Sequence, residues 1–348
     1  MNKKVSIPVL AISILLTSAL WFLRWHKSAA REEVQEAKVE IIGAEKVRKE
    51  IARLSAQIIT MPENPALYFN RSQLFRTLGN KDSSYLDLYK YIYLQPQDTS
   101  SYLLGVKYYM EDNDTRSALA LLDDAIKQMP ASRELLTEQG KIYFYVKKYD
   151  NARERFNKAA LLSPPYALAF FYNGLLAREE QKLPESITLM EKALNIDPDM
   201  YDAKMLLGKW LADTKPLRAE DYLRSAIAQD TTRTEAVYAL AMICQGQKKF
   251  EEAKDWYKQL LTRDYQYRDA YFNLGYIYLQ QDSLEKAIKH FDLAISVSPA
   301  YAEAFYMRGL CKEQLGNTEA ALVEFKQALV FKEDYELAMQ GIKRVEKK

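Results

Sequence analysis

Residues 270–299 read A-Y-F-N-L-G-Y-I-Y-L-Q-Q-D-S-L-E-K-A-I-K-H-F-D-L-A-I-S-V-S-P. No obvious catalytic group stands in this stretch. Its small residues and closing proline nevertheless stand at offsets that recur along the chain. Gly140, Gly174 and Gly208 step by 34, as do Gly275 and Gly309. A second series, Ala118, Ala152, Ser186, Ala219, Ala253, Ala287 and Ala321, steps by 34 with a single interval of 33. Pro62, Pro96, Pro130, Pro164 and Pro198 make a third series at 34, and Pro299 rejoins it after the same one-residue deletion. Three series sharing one period mark a repeat architecture.

Each period reads as two helices. In 268–301, Tyr271, Leu274, Gly275 and Tyr278 mark one apolar face, and Ala287, Phe291 and Ala294 mark a second. Asp282-Ser283 falls at the turn between them. Pro299 stops the second helix, because it lacks an N–H and clashes with the preceding turn. The small residues Gly275 and Ala287 let two helices approach closely.

On these residues the chain resembles the tetratricopeptide repeat family. The resemblance covers eight consecutive units: 65–98, 99–132, 133–166, 167–200, 201–233, 234–267, 268–301 and 302–335. It implies an all-α, right-handed superhelical solenoid of about eight helix pairs. The unit 201–233 lacks one residue and carries Pro216 near its turn, so an irregularity is expected there. Residues 336–348 read as a helix covering the last apolar face, since solenoids need such caps. The half-unit ending at Pro62 is expected to serve at the front.

The resemblance further implies that the first helix of each unit lines a concave groove with its offsets 2, 5, 9 and 12. Here those offsets supply candidate partner-binding residues: Phe69, Lys107, Lys141, Phe171, Arg178, Lys209, Tyr238, Met242, Phe272, Tyr276, Tyr306 and Leu310. Lys107, Lys141, Arg178 and Lys209 would make the middle basic. The apolar residues from Tyr238 to Leu310 would make the C-terminal end suited to an apolar peptide or helix. Asp202, Glu235, Asp269 and Glu303 would flank it as an acidic line. The apolar stripe is read as free of packing duty, with contact to neighbouring units as the alternative.

Composition excludes other classes. The formal net charge is +2, and the small basic excess sits within 1–64, so no basic face for nucleic acid is present. Cys244 and Cys311 are the only cysteines and read as small buried hydrophobes, with no metal-ligand spacing. The only histidines are His26 and His290. No phosphate-binding glycine loop or nucleophile–base pair is evident, so neither an enzyme nor a cofactor is expected.

The N-terminus differs in kind. From Val5 to Leu23 the chain carries no charge, and this run is flanked by Lys3 and Lys4 on one side and Arg24 and Lys27 on the other. Its length is that of a membrane-spanning helix, and Trp21 and Trp25 stand where an aromatic belt would lie. A cleaved signal and an uncleaved anchor compete; the apolar run continues past the small residues Thr17 and Ala19, which favours the anchor. The expected order is a short tail (1–4), a signal-anchor (5–23), an amphipathic stalk and front cap (24–64), the repeats (65–335) and the cap (336–348). The short tail places the repeats outside the cytoplasm, in a periplasm-like compartment.

The resulting reading is a single-pass, membrane-anchored repeat protein, similar to bacterial envelope-assembly proteins, that docks partner peptides or helices in its groove. A self-associating structural protein, and a binder of glycans or lipid-linked saccharides, are the alternatives. No nucleic-acid partner is expected.

Overall fold

The computed structural model describes residues 44–347. The anchor expected at 5–23 and the first half of the stalk therefore lie outside the described residues. Among the described residues no helix is long and apolar enough to cross a membrane.

Eighteen helices and no strand are found among the described residues. The first is α1 (Ala44–Thr60), amphipathic, with Val47 and Leu54 buried. Two helices then fill each expected unit: α2 (Pro65–Thr77) and α3 (Lys81–Leu94), α4 (Thr99–Glu111) and α5 (Thr115–Gln128), α6 (Arg133–Tyr145) and α7 (Tyr149–Ala160), α8 (Ala167–Glu179) and α9 (Leu183–Ile196). The series continues with α10 (Tyr201–Leu211) and α11 (Pro216–Gln229), α12 (Glu235–Gly246) and α13 (Phe250–Arg263), α14 (Arg268–Gln280) and α15 (Leu284–Val297), α16 (Ala302–Gln314) and α17 (Thr318–Phe331). The expected C-terminal cap is α18 (Glu336–Val345). Two compact bodies divide within α4, between Gly105 and Val106.

In the first body α1 packs on α2, and α2 on α3. Leu54, Leu67, Tyr68 and Leu88 are buried there. The Arg71 guanidinium donates to both carboxylate oxygens of Asp87 at 2.7 Å, holding α2 to α3. Pro65 opens α2, and Asn64 caps it by accepting from the Ala66 N–H.

The second body is a solenoid. From α5 to α18 each helix packs on the next one in the chain. The small-residue series is fully buried from Ala118 to Ala321. One turn further along each second helix stands a large buried side chain: Leu122, Phe156, Met190, Leu223, Tyr257, Phe291 and Phe325. Five of them, Phe156, Met190, Leu223, Phe291 and Phe325, fill the space that Gly140, Gly174, Gly208, Gly275 and Gly309 leave. A Cβ on Gly140 would lie 2.5 Å from the Phe156 ring. The spacer reading of the glycines therefore holds.

The irregularity expected at Pro216 is present and has a specific cause. In the seven full-length repeats, one residue of the inner turn has positive φ: Gly79, Asn113, Lys147, Gln181, Lys248, Asp282 and Gly316. The shortened repeat lacks that left-handed residue. Its first helix stops at Leu211, and Lys215 enters α11 with φ −140. Pro216 then occupies the first turn of α11, where a missing N–H costs nothing.

Candidate partner-binding groove

The first helices of the second body form a layer of their own. α6 touches α8, α10 touches α12, α14 touches α16, and α16 touches α18. Eleven of the twelve expected groove residues belong to this body; Phe69 belongs to the other, where its ring meets Tyr91 at 5.1 Å.

The apolar stripe is not free of packing duty, which corrects the expectation. Tyr306 is 8% exposed, wedged between Phe325 (5.7 Å between ring centroids) and Tyr335 (5.4 Å). Phe272 lies against Phe291 at 5.6 Å and Tyr301 at 5.2 Å. Tyr238 lies against Tyr257 at 6.1 Å and Tyr267 at 5.1 Å. Phe171 is buried and meets Tyr172 edge-on. The physical reason is a tyrosine at the last position of several repeats. Tyr267, Tyr301 and Tyr335 each stand just before the next helix and fold back over the offset-5 aromatic of their own repeat. Sequence reasoning missed these residues, although Tyr267, Tyr301 and Tyr335 are themselves spaced by 34.

Burial has an electrostatic signature here. It pushes the Tyr238 phenol up to about 12, with the Asp269 carboxylate adding to the effect. Burial and the same carboxylate hold the Tyr301 phenol still higher, and its hydroxyl donates to Asp269 Oδ1 at 3.0 Å. Tyr238 accepts a hydrogen bond from Asn273 Nδ2 at 3.2 Å.

The acidic line is engaged at the joints between helices rather than presented as open charge. Asp202 accepts from Arg233 at 2.8 Å, and that guanidinium stacks 3.6 Å over the Tyr201 ring. Glu235 lies 3.6 Å from Arg233. Glu303 accepts from Lys332 at 3.2 Å. The basic middle is also tempered. Lys107 lies 4.0 Å from Glu111, and Lys141 donates to Glu138 at 2.6 Å. Arg178 is half-buried and Lys209 exposed.

What remains accessible is narrower than expected. Met242, Tyr276 and Leu310 are half-buried, and the last two pack on the C-terminal core with part of each side chain toward solvent. A cavity of about 320 Å³ adjoins Leu310, which lines it with Glu313, Gln314 and Arg344. Arg344, which sequence reasoning did not single out, donates to both carboxylate oxygens of Glu313, at 2.8 Å through Nε and 2.6 Å through Nη2. This bidentate pair fixes α18 across the end of α16. Among the described residues no cluster of His, Cys, Asp or Glu is placed to hold a metal ion. Cys244 and Cys311 are buried, and burial raises both thiols.

Comparison with known proteins bears on the fold. Models described as "Tetratricopeptide repeat" match residues 137–203, 234–267, 269–301 and 302–335. No curated protein matches the chain. A crystal structure of the C-terminal part of a TPR repeat-containing protein from Cytophaga hutchinsonii is similar with a TM-score of 0.58 at 15% identity, over 68% of this chain and 98% of that one. A crystal structure of MamA is 29% identical over 46% of this chain and 94% of that one, with a TM-score of 0.43. YrrB, described as a TPR protein with an unusual peptide-binding site, is 21% identical over 55% of this chain and 99% of that one, with a TM-score of 0.46. Over the matched segments the chain matches the tetratricopeptide repeat models, and the other helix pairs among the described residues have the same two-helix arrangement.

Proposed function

We propose that this chain is a membrane-tethered scaffold that docks a segment of a partner protein along the first helices of residues 106–348. Tetratricopeptide repeats mediate protein–protein interaction, and stacked helix pairs offer extended surfaces for it. The observation that carries the reading is the cavity lined by Leu310, Glu313, Gln314 and Arg344, with the partly open Tyr276 packed on the same C-terminal core as Leu310. Such an edge takes an apolar side chain from a peptide or helix, while the Arg344–Glu313 pair offers polar contacts beside it.

The tether is the uncharged stretch 5–23, and the repeats lie on the extracytoplasmic side in this reading. A photo-crosslinking amino acid placed at 276 or 310 in living cells tests the docking. Labelling of one protein from these positions, and none from Thr262 on an outer helix, is the expected result. Equal labelling from all three positions, or none, overturns the groove. Alkaline extraction of membranes tests the tether separately: an anchored chain stays in the pellet.

A further inference from the structure

The repeat lets one helix surface be compared with its own counterparts. Offsets 22, 25 and 29 of each repeat lie on the second helix. In 234–267 they are Asp255, Lys258 and Thr262, and in 268–301 they are Lys289, Asp292 and Ser296. All six are exposed, as expected for a solvated face. In 65–98 the same offsets are Leu86, Tyr89 and Tyr93. Leu86 is 72% exposed and Tyr93 75% exposed. The repeat 302–335 places Val323 and Val330 there, smaller and separated by Lys326.

The apolar character continues onto α1. Ile59 stands one period before Tyr93 and is 82% exposed, and Met61 is exposed just beyond it. Lys90 joins the two regions. Its ammonium lies 3.9 Å from Glu63, in the connection after α1, and 5.0 Å over the Tyr93 ring. The face is thus built of large apolar side chains and tyrosines, with a lysine ammonium over one of the rings.

We propose that this face, formed by Ile59, Met61, Leu86, Tyr89 and Tyr93, seats on the interfacial zone of a lipid bilayer; the proposal rests on the membrane tether argued above. Two observations choose this occupant. Tyrosine joins an apolar ring to a polar hydroxyl and is enriched at the membrane–water boundary, and this face carries Tyr89 and Tyr93. The uncharged stretch also ends at Leu23, close in sequence to Ala44, where α1 begins. The connection 24–43 spans about 30 Å as a helix and at most about 70 Å extended, so α1 and α3 stay within reach of the bilayer.

The full-length chain, mixed with phosphatidylcholine–phosphatidylglycerol vesicles, tests this. An environment-sensitive fluorophore is attached at Leu86→Cys or, as control, at Thr262→Cys; the buried Cys244 and Cys311 are shielded from labelling. Vesicles carrying a shallow nitroxide lipid should quench the probe at 86 at least about threefold more than at 262, as an interfacial helix face requires. Adding Tyr89→Glu and Tyr93→Glu should abolish the difference without changing the far-UV spectrum. A chain that floats with the vesicles but shows equal quenching overturns the proposal and leaves the tether standing. A chain that does not float overturns both. Protection of the probe at 86 without lipid, together with a doubled mass, identifies a second copy as the occupant and likewise overturns it.

Discussion

Gly341 of the capping helix faces Phe325 so closely that a Cβ on the glycine would lie 2.9 Å from the ring. Gly309 presses on the same ring from α16, where a Cβ would lie 2.7 Å away. Phe325 is therefore clamped by two backbones and has no side to which it can yield. Gly341→Leu should destabilise the C-terminal end by about 2 kcal/mol, the cost of forcing extra carbons into a packed site. The gain in helix propensity, at most about 1 kcal/mol, does not offset that. Urea melts measure the loss, and hydrogen exchange should locate it in α17 and α18. A variant as stable as the parent would refute the clamp.

The clamp also shows how far the sequence could be read. Glycine, alanine and proline at a constant period report backbone approach and helix ends, which recur from one repeat to the next, so the helix pairs were legible. The groove was not, because its exposure depends on side chains reaching across a joint. Offset 5 looks open when a repeat is read alone. It is closed when Tyr267, Tyr301 and Tyr335 fold back onto Tyr238, Phe272 and Tyr306. The Arg344–Glu313 pair was illegible for a similar reason. Its partners lie on different helices, α18 and α16, beyond any local pattern.

The inner turns hold a second prediction. Lys248 has φ 61, a left-handed conformation that costs a side-chain-bearing residue about 1–2 kcal/mol. Lys248→Gly removes that cost while adding unfolded-chain entropy, so it should stabilise by about 0.5–1 kcal/mol. Lys215→Gly, in the shortened repeat where φ is −140, should give no gain and a small loss. The urea midpoints of the two variants should move in opposite directions at constant slope. Movement in the same direction would count against the left-handed turn as the feature the deletion removed.

Acid should weaken the joints between repeats. Glu180 has its carboxyl held below the usual range by hydrogen bonds from Lys182 and Arg153, the latter reaching across from α7. Glu252 is lowered by its hydrogen bond from Arg224, which reaches across from α11. A carboxyl harder to protonate folded than unfolded adds stability that is complete above its unfolded value of 4.5 and lost as pH falls through the folded value. Denaturation midpoints should therefore hold steady from neutral pH to about 5 and fall below it. Glu180→Gln and Glu252→Gln should each start from a lower midpoint at neutral pH and show a shallower fall in acid. An acid profile identical to the parent's would remove these pairs from the account.

The groove prediction separates packing from binding. Tyr306 is enclosed by Phe325 and Tyr335, so Tyr306→Ala leaves a cavity and should cost about 3 kcal/mol. Tyr276 and Leu310 are half-buried, with Leu310 lining the cavity, and their truncation removes fewer contacts. Tyr276→Ala and Leu310→Ala should each cost about 1–2 kcal/mol, leaving a folded chain. Their effect should appear in crosslinking to a partner, where either change lowers the yield several-fold. Arg344→Ala should act on both counts, because it frees α18 from Glu313 and removes a polar wall of the cavity. If Tyr306→Ala and Tyr276→Ala lose stability equally, the two positions are packing residues alike. If Tyr276→Ala and Leu310→Ala fold as expected and still crosslink at the parental yield, the partner docks elsewhere.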